Sequence, residues 1–204
     1  MKALGPRFSA PISVARPRAA RLLEGYSPKL GRRVQLFDHA AFAVWIGLEA
    51  APAVISLCER PARAGPAATD RMIDFWVRVT DGEAFLVVTH DDAADELPAR
   101  VDGIEVRHVG AADRAAANVW ITNWQRMLPV INATRSVIST ALMTTVRRFV
   151  REPTPLARIE HEFAVGDPTL VRGTVFEMLR TAQLAAPSLH TQPLSLHTVV
   201  EPTP

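Results

Sequence analysis

The chain has a single cysteine, Cys58, and two lysines, Lys2 and Lys29, among 204 residues. One thiol excludes a disulfide framework and a cysteine-based zinc site, and a reducing cytoplasm is the expected location. No apolar run approaches the roughly 18–20 residues of a membrane span, so no membrane association is expected. The opening "MKALGPRFSAPISVARPRAARLL" is basic and broken by proline, without the apolar stretch of a signal peptide. No G-x-G-x-x-G and no Walker-type glycine loop is present, which argues against nucleotide binding. His39, His108, His161, His190 and His197 form no H-x-x-x-H or H-x-x-E-H pair, and Ser139, Thr140, Thr144 and Thr145 have no histidine near them in sequence. A zinc protease and a serine hydrolase are therefore set aside.

What is present is apolar content of 48%, enough to bury a core in one domain of ordinary size or two small ones. The net charge of +2 conceals an asymmetry: residues 1–35 carry +7, 36–113 carry −8, 114–180 carry +4 and the tail −1. A basic arm ahead of an acidic middle invites a nucleic-acid reading, against the plainer one of a solvated, arginine-rich tail. Pro6, Pro11, Pro17 and Pro28 predict an extended arm over residues 1–29, with one helical turn near "RAARLLEG". If the arm binds DNA, deleting it should flatten the salt dependence of binding.

Phe37, Ala41, Val44, Trp45 and Leu48 recur at helical spacing, and Pro52 ends the run. "AVISLCERP" reads as a strand stopped by Pro61. "RMIDFWVRV" and "EAFLVVTH" read as a hairpin turned at Asp81-Gly82. "DDAADELPARVDG" is a polar segment able to open a helix, and "IEVRHV" a further strand. This order predicts an α/β sandwich over residues 30–112. From residue 113 the pattern is helical, with interruptions predicted at Pro129 and at Pro153 and Pro155. A helix over "TPLARIEHEF" follows, then a turn at Gly166-Asp167-Pro168 with Asp167 as N-cap, the helix "TLVRGTVFEMLRTA" and a terminal strand "LSLHTVVE". Residues 113–204 thus form a helical, winged-helix-like part.

Several stretches, in order, resemble the TnsA-type endonuclease subunits of heteromeric transposases, within the restriction-endonuclease-like PD-(D/E)XK superfamily. They are "FDHAA" (37–41), "LEAAPAV" (48–54), Arg60-Pro61, and the hairpin with Asp74-Phe75, Val77, Asp81-Gly82 and Val88-Thr89-His90. Asn123, Arg135, "MLRTAQL" and "PLSLHTVV" extend the resemblance over roughly residues 30–200. It implies a restriction-endonuclease-like fold, DNA as ligand, and an integrase-type transposase or regulator as protein partner. Phosphodiester hydrolysis in such a site needs a hard cation held by carboxylates, with a lysine two residues along the second strand from its acid. Here the helix Glu falls on Ala41, the second-strand Glu on Val88 and the Lys on His90; only Asp74 keeps its chemistry. The implied protein is TnsA-like, DNA-binding and catalytically degenerate, requiring no cofactor.

Two alternatives stand beside that reading. In the first, the site has migrated to Asp38, Asp74 and His90, with Asp74 the ligand of Mg²⁺ or Mn²⁺; Asp92 shares the strand parity of His90, next to Asp91. In the second, a small DNA-binding regulator inherited the fold. Guanidinium forks match phosphate oxygens, so Arg147, Arg148, Arg151, Arg172 and Arg180, with Arg32 and Arg33, are the expected DNA contacts; the competing reading is solvated helix faces. Glu160-His161-Glu162 reads as a charged helix face. Trp120 and Trp124, at i and i+4, are core or, if exposed, a partner surface.

Overall fold

The structure, a computed structural model, describes residues 6–90, 97–165 and 167–203. The chain divides into two compact units, Met1–Ala116 and Ala117–Pro204. Among the described residues no helix is long and apolar enough to cross a membrane.

The first unit begins with an antiparallel hairpin of β1 (Leu23–Ser27) and β2 (Arg32–Leu36). In β2, Val34 and Leu36 are buried while Arg33 and Gln35 face water, the period-two pattern of a half-buried strand. This corrects the expectation of an arm over 1–29: the end of that stretch is a strand, and the helical turn over "RAARLLEG" is replaced by it. The segment upstream is also anchored. Phe8 packs on Trp76 and Phe85, each at 5.5 Å between ring centroids. Arg7 pairs with Glu83 at 2.8 Å, and the Ile12 amide donates to the Arg60 carbonyl at 2.9 Å. Residues 6–22 hold no helix or strand, as the prolines of an extended arm predict; their anchoring through Phe8 is what the sequence did not show.

Helix α1 (His39–Ala50) starts where Asp38 accepts a hydrogen bond from the Ala41 amide at 3.0 Å, an N-cap that satisfies a donor left open by helix geometry. The strands β3 (Val54–Glu59), β4 (Phe75–Val79), β5 (Gly82–Val88), β6 (Arg100–Val101) and β7 (Ile104–Val109) form one sheet of order β3-β4-β5-β7-β6. β5 and β7 run parallel while the described pairs β3-β4, β4-β5 and β6-β7 run antiparallel, so the sheet is mixed. A row across it aligns Cys58, Trp76, Phe85 and Val106, and these side chains with Ile73, Val101 and Ile104 make a core cluster. The short helix α2 (Ala111–Ala116) closes the unit; the domain boundary expected at 112–113 falls inside it.

Cys58 is fully buried, and burial pushes its thiol up to about 11. A thiol held protonated and away from water is a poor nucleophile. A thiol-reactive dye should therefore leave the native protein unlabelled near neutral pH and label it stoichiometrically in denaturant. Rapid labelling of native protein would show that this core opens readily.

The second unit opens with α3 (Asn118–Thr134). Pro129 was expected to interrupt the helical run, but it lies inside α3 and the break falls after Thr134. Pro129 and Gln125 are both exposed, so the carbonyl that loses its proline partner faces water and the penalty for an interior proline is softened. Next come α4 (Thr140–Phe149), β8 (Thr154–Pro155), α5 (Leu156–Phe163), α6 (Thr169–Arg180), β9 (Leu184–Ala185), a 3-10 turn over Pro187–His190 and β10 (Val199–Pro202). The three short strands form a sheet of order β8-β10-β9. Asp167 accepts from the Thr169 amide at 2.9 Å, but α6 begins at Thr169 and Pro168 takes the N-cap position expected of Asp167, one residue later than the sequence predicts. Gly173 of α6 sits directly on Thr134 of α3, and a Cβ there would overlap the threonine hydroxyl; only glycine lets these two helices approach so closely.

Candidate functional site

The residues of the migrated-site alternative are neighbours. His90 Nε2 lies 3.6 Å from Asp38 Oδ2, with side chains 66% and 39% exposed. Asp74 stands one residue ahead of β4 and is close enough to feel both charges. Each carboxylate, however, already has a structural task. Oδ2 of Asp38 caps α1. Oδ2 of Asp74 accepts the Val88 amide at 2.8 Å, and Arg71 bridges the same strand end by donating to the Val88 carbonyl at 3.0 Å, with Asp74 3.7 Å from its guanidinium. The pair fastens both main-chain groups of Val88 across the hairpin.

A divalent cation does not fit this donor set. The Val88 side chain is 2% exposed and packs in the core, and Ala41 is buried on α1; where the resemblance places two of its acids, the chain offers methyl groups. His90 is a nitrogen donor, poorly matched to Mg²⁺. Among the described residues no three His, Cys, Asp or Glu side chains are grouped to hold a metal. Asp91 and Asp92, raised as neighbours of His90, lie outside the described residues.

The Asp74 carboxyl is raised above its usual range, chiefly because burial disfavours the charge; the Val88 amide and Arg71 oppose this and Asp38 adds to it. Between its unfolded and folded pKa values the folded chain binds more protons than the unfolded one, so stability falls as pH rises through that window. At neutral pH the ionised Asp74 is a net burden. Asp74→Asn retains an acceptor for the Val88 amide and removes the charge. The expected result is a higher melting temperature near neutrality, the gain vanishing as pH drops into the carboxylate range. A loss of stability at neutral pH that disappears on acidification would show that the charge itself is needed by the fold.

The seven arginines assigned to DNA separate into two sets. Arg32 forms a bidentate pair with Glu59, both bonds at 2.6 Å. Arg172 pairs with Glu160 at 2.6 and 2.9 Å, and Arg180 with Glu177 at 2.7 and 2.6 Å. These three have their forks filled by carboxylates, the geometry that phosphate would need. Glu160 is accordingly buried and departs from the solvated face expected for Glu160-His161-Glu162. Arg33, Arg147, Arg148 and Arg151 are exposed, and none of them has a carboxylate partner among the described residues. Arg151 donates only to the Arg148 carbonyl, at 3.0 Å.

On α4 the residues Thr140, Met143, Thr144, Arg147 and Arg148 recur at i, i+3, i+4, i+7 and i+8, one helix face. With Gln183 they line a groove of about 480 Å³; Arg151 lies two residues past the end of α4. Thr140, Met143, Thr144 and Gln183 were not singled out as ligand contacts in the sequence. The signal that points to their neighbourhood is a run from Arg114 to Arg151 with six arginines and no acidic residue. Of the tryptophan pair, Trp124 is fully buried. Trp120 meets it edge-on at 5.4 Å and is stacked on His190 at 4.0 Å, nearly parallel. Comparison of the chain with protein-family models and with curated protein sequences gives no significant match.

Proposed function

We propose that the chain is a TnsA-like DNA-binding subunit associated with transposition, catalytically degenerate and acting with an integrase-type transposase or regulator. In this reading the first unit is a restriction-endonuclease-like sandwich and the second a winged-helix-like DNA-binding part. The observation that carries DNA binding is the end of α4: Arg147 and Arg148 in its last turn and Arg151 two residues beyond it are exposed and, among the described residues, have no carboxylate partner, in a unit whose other arginines include pairs locked to glutamate. Degeneracy rests on Val88 and Ala41, whose apolar side chains stand where cation ligands are required.

The test is duplex binding as a function of salt, in the wild type and in Arg147→Gln/Arg148→Gln/Arg151→Gln. Each lost phosphate contact lowers the slope of log K against log[salt] by about 0.9, so the triple variant should lose about 2–3 in slope. An unchanged slope removes the α4 face from the DNA surface. In parallel, supercoiled plasmid with Mg²⁺ or Mn²⁺ should show no nicking that distinguishes wild type from Asp74→Ala. Metal-dependent nicking lost in the variant would establish the active endonuclease instead.

A further inference from the structure

The groove beside α4 has a composition that an ordinary solvated helix face lacks. It is lined by two arginines, Arg147 and Arg148, with Thr140, Thr144, Met143 and Gln183, and by no acid. Adjacent like charges repel, and elsewhere in the same unit the chain relieves arginine with glutamate, as at Arg172–Glu160 and Arg180–Glu177. Here it does not. The Thr144 hydroxyl donates to the Thr140 carbonyl at 2.8 Å, leaving it an acceptor, while Gln183 Nε2 uses one proton on Thr181 Oγ1 at 3.0 Å and keeps the other. Among the described residues, the donors of the groove's lining side chains without a partner are therefore the two guanidinium forks, the Thr140 hydroxyl and one Gln183 amide proton. A carboxylate would satisfy one fork and leave the second charge stranded. A tetrahedral oxyanion with charge to share between two forks fits the set.

We propose that this groove is a phosphate-binding site. Resting on the DNA-binding reading above, its occupant is a phosphate group of a nucleic-acid strand, drawn either from the backbone as a diester or from a strand end as a monoester. Arg147 and Arg148 hold the charge, Thr140 and Gln183 orient the oxygens, and Met143 lines the groove between them. Such a site positions a strand and reads no base.

The experiment uses the full chain. Inorganic phosphate is titrated by calorimetry or by backbone amide shifts, against wild type, Arg148→Gln, Arg147→Lys, Gln183→Ala and the charge-matched control Arg158→Gln, which lies on α5 outside the groove. Saturable binding is expected, weakened by about tenfold in Arg148→Gln, the loss of a charge-assisted hydrogen bond. Arg147→Lys should keep the charge but lose the fork, with a smaller reduction, and the uncharged change Gln183→Ala should also weaken binding. Arg158→Gln should bind as wild type. Absent saturation, or equal weakening by Arg158→Gln, overturns the site and attributes any effect to net charge.

A second arm compares one duplex carrying 5′-phosphate or 5′-hydroxyl ends, with inorganic phosphate as competitor. Tighter binding of the phosphorylated duplex, lost in Arg148→Gln, identifies the strand end as the source. Equal binding displaced by phosphate identifies the backbone. Phosphate binding without any DNA binding removes the nucleic-acid occupant and leaves the phosphate site standing; DNA binding insensitive to Arg148→Gln and to phosphate does the reverse.

Discussion

Asn123→Ala is expected to unfold the second unit at temperatures the wild type tolerates. Asn123 is 1% exposed and sits on α3 with its side chain aimed at the segment that follows the 3-10 turn. Its amide nitrogen donates to the carbonyls of Leu189 and Gln192, each at 2.8 Å, and its oxygen accepts the Leu194 amide at 2.7 Å. One side chain therefore does for this irregular segment what a neighbouring strand would do for a regular one. Truncation leaves three backbone groups without partners, and since each buried orphan costs about 1–3 kcal/mol the expected loss is about 3 kcal/mol or more. Asn123→Asp should be no remedy, because a carboxylate presents oxygen to two carbonyl oxygens. Chemical denaturation reads the loss directly, and Cys58 labelling separates it from the first unit: the dye should stay excluded while the second unit's signal melts. A loss below about 1 kcal/mol would mean that water replaces the side chain without penalty.

Asn123 also illustrates what could be read in the sequence. It was noticed there for its place in a family-like pattern, not for the clamp it forms, because its three partners lie 66 to 71 residues away and no local rule connects them. The hairpin was legible because Asp81-Gly82 is a local signal, and β7 because "IEVRHV" alternates. The helices of the second unit were legible from their period. Pro129 misled because the penalty of an interior proline depends on which way the orphaned carbonyl faces, and that is settled by tertiary packing. The arm misled for a similar reason: prolines argue against helix, but say nothing against a strand or a strap held by one phenylalanine. For the arginines, residue type alone cannot separate a free guanidinium from one filled by a glutamate. The distinction between Arg148 and Arg172 required the partner to be placed.

The same point sets the second large effect. Arg32, read from the sequence as a phosphate contact, should prove to be a residue whose loss the first unit tolerates poorly. Its guanidinium is the bidentate partner of Glu59, whose side chain is 2% exposed against 30% for Arg32, and hydrogen bonding to Glu59 holds the arginine above its usual range despite the opposing effect of burial. The two ends of the pair are therefore unequal. Glu59→Ala releases an arginine that can still reach water. Arg32→Ala strands a buried carboxylate, and breaking a buried pair from that side costs about 3–5 kcal/mol. Removing both, in Arg32→Ala/Glu59→Leu, should recover much of the loss, since an apolar replacement carries no desolvation penalty. If Arg32 serves DNA instead, Arg32→Ala will leave the denaturation midpoint in place and flatten the salt slope. On the geometry described, the midpoint falls and the slope of the protein that remains folded stays where it was.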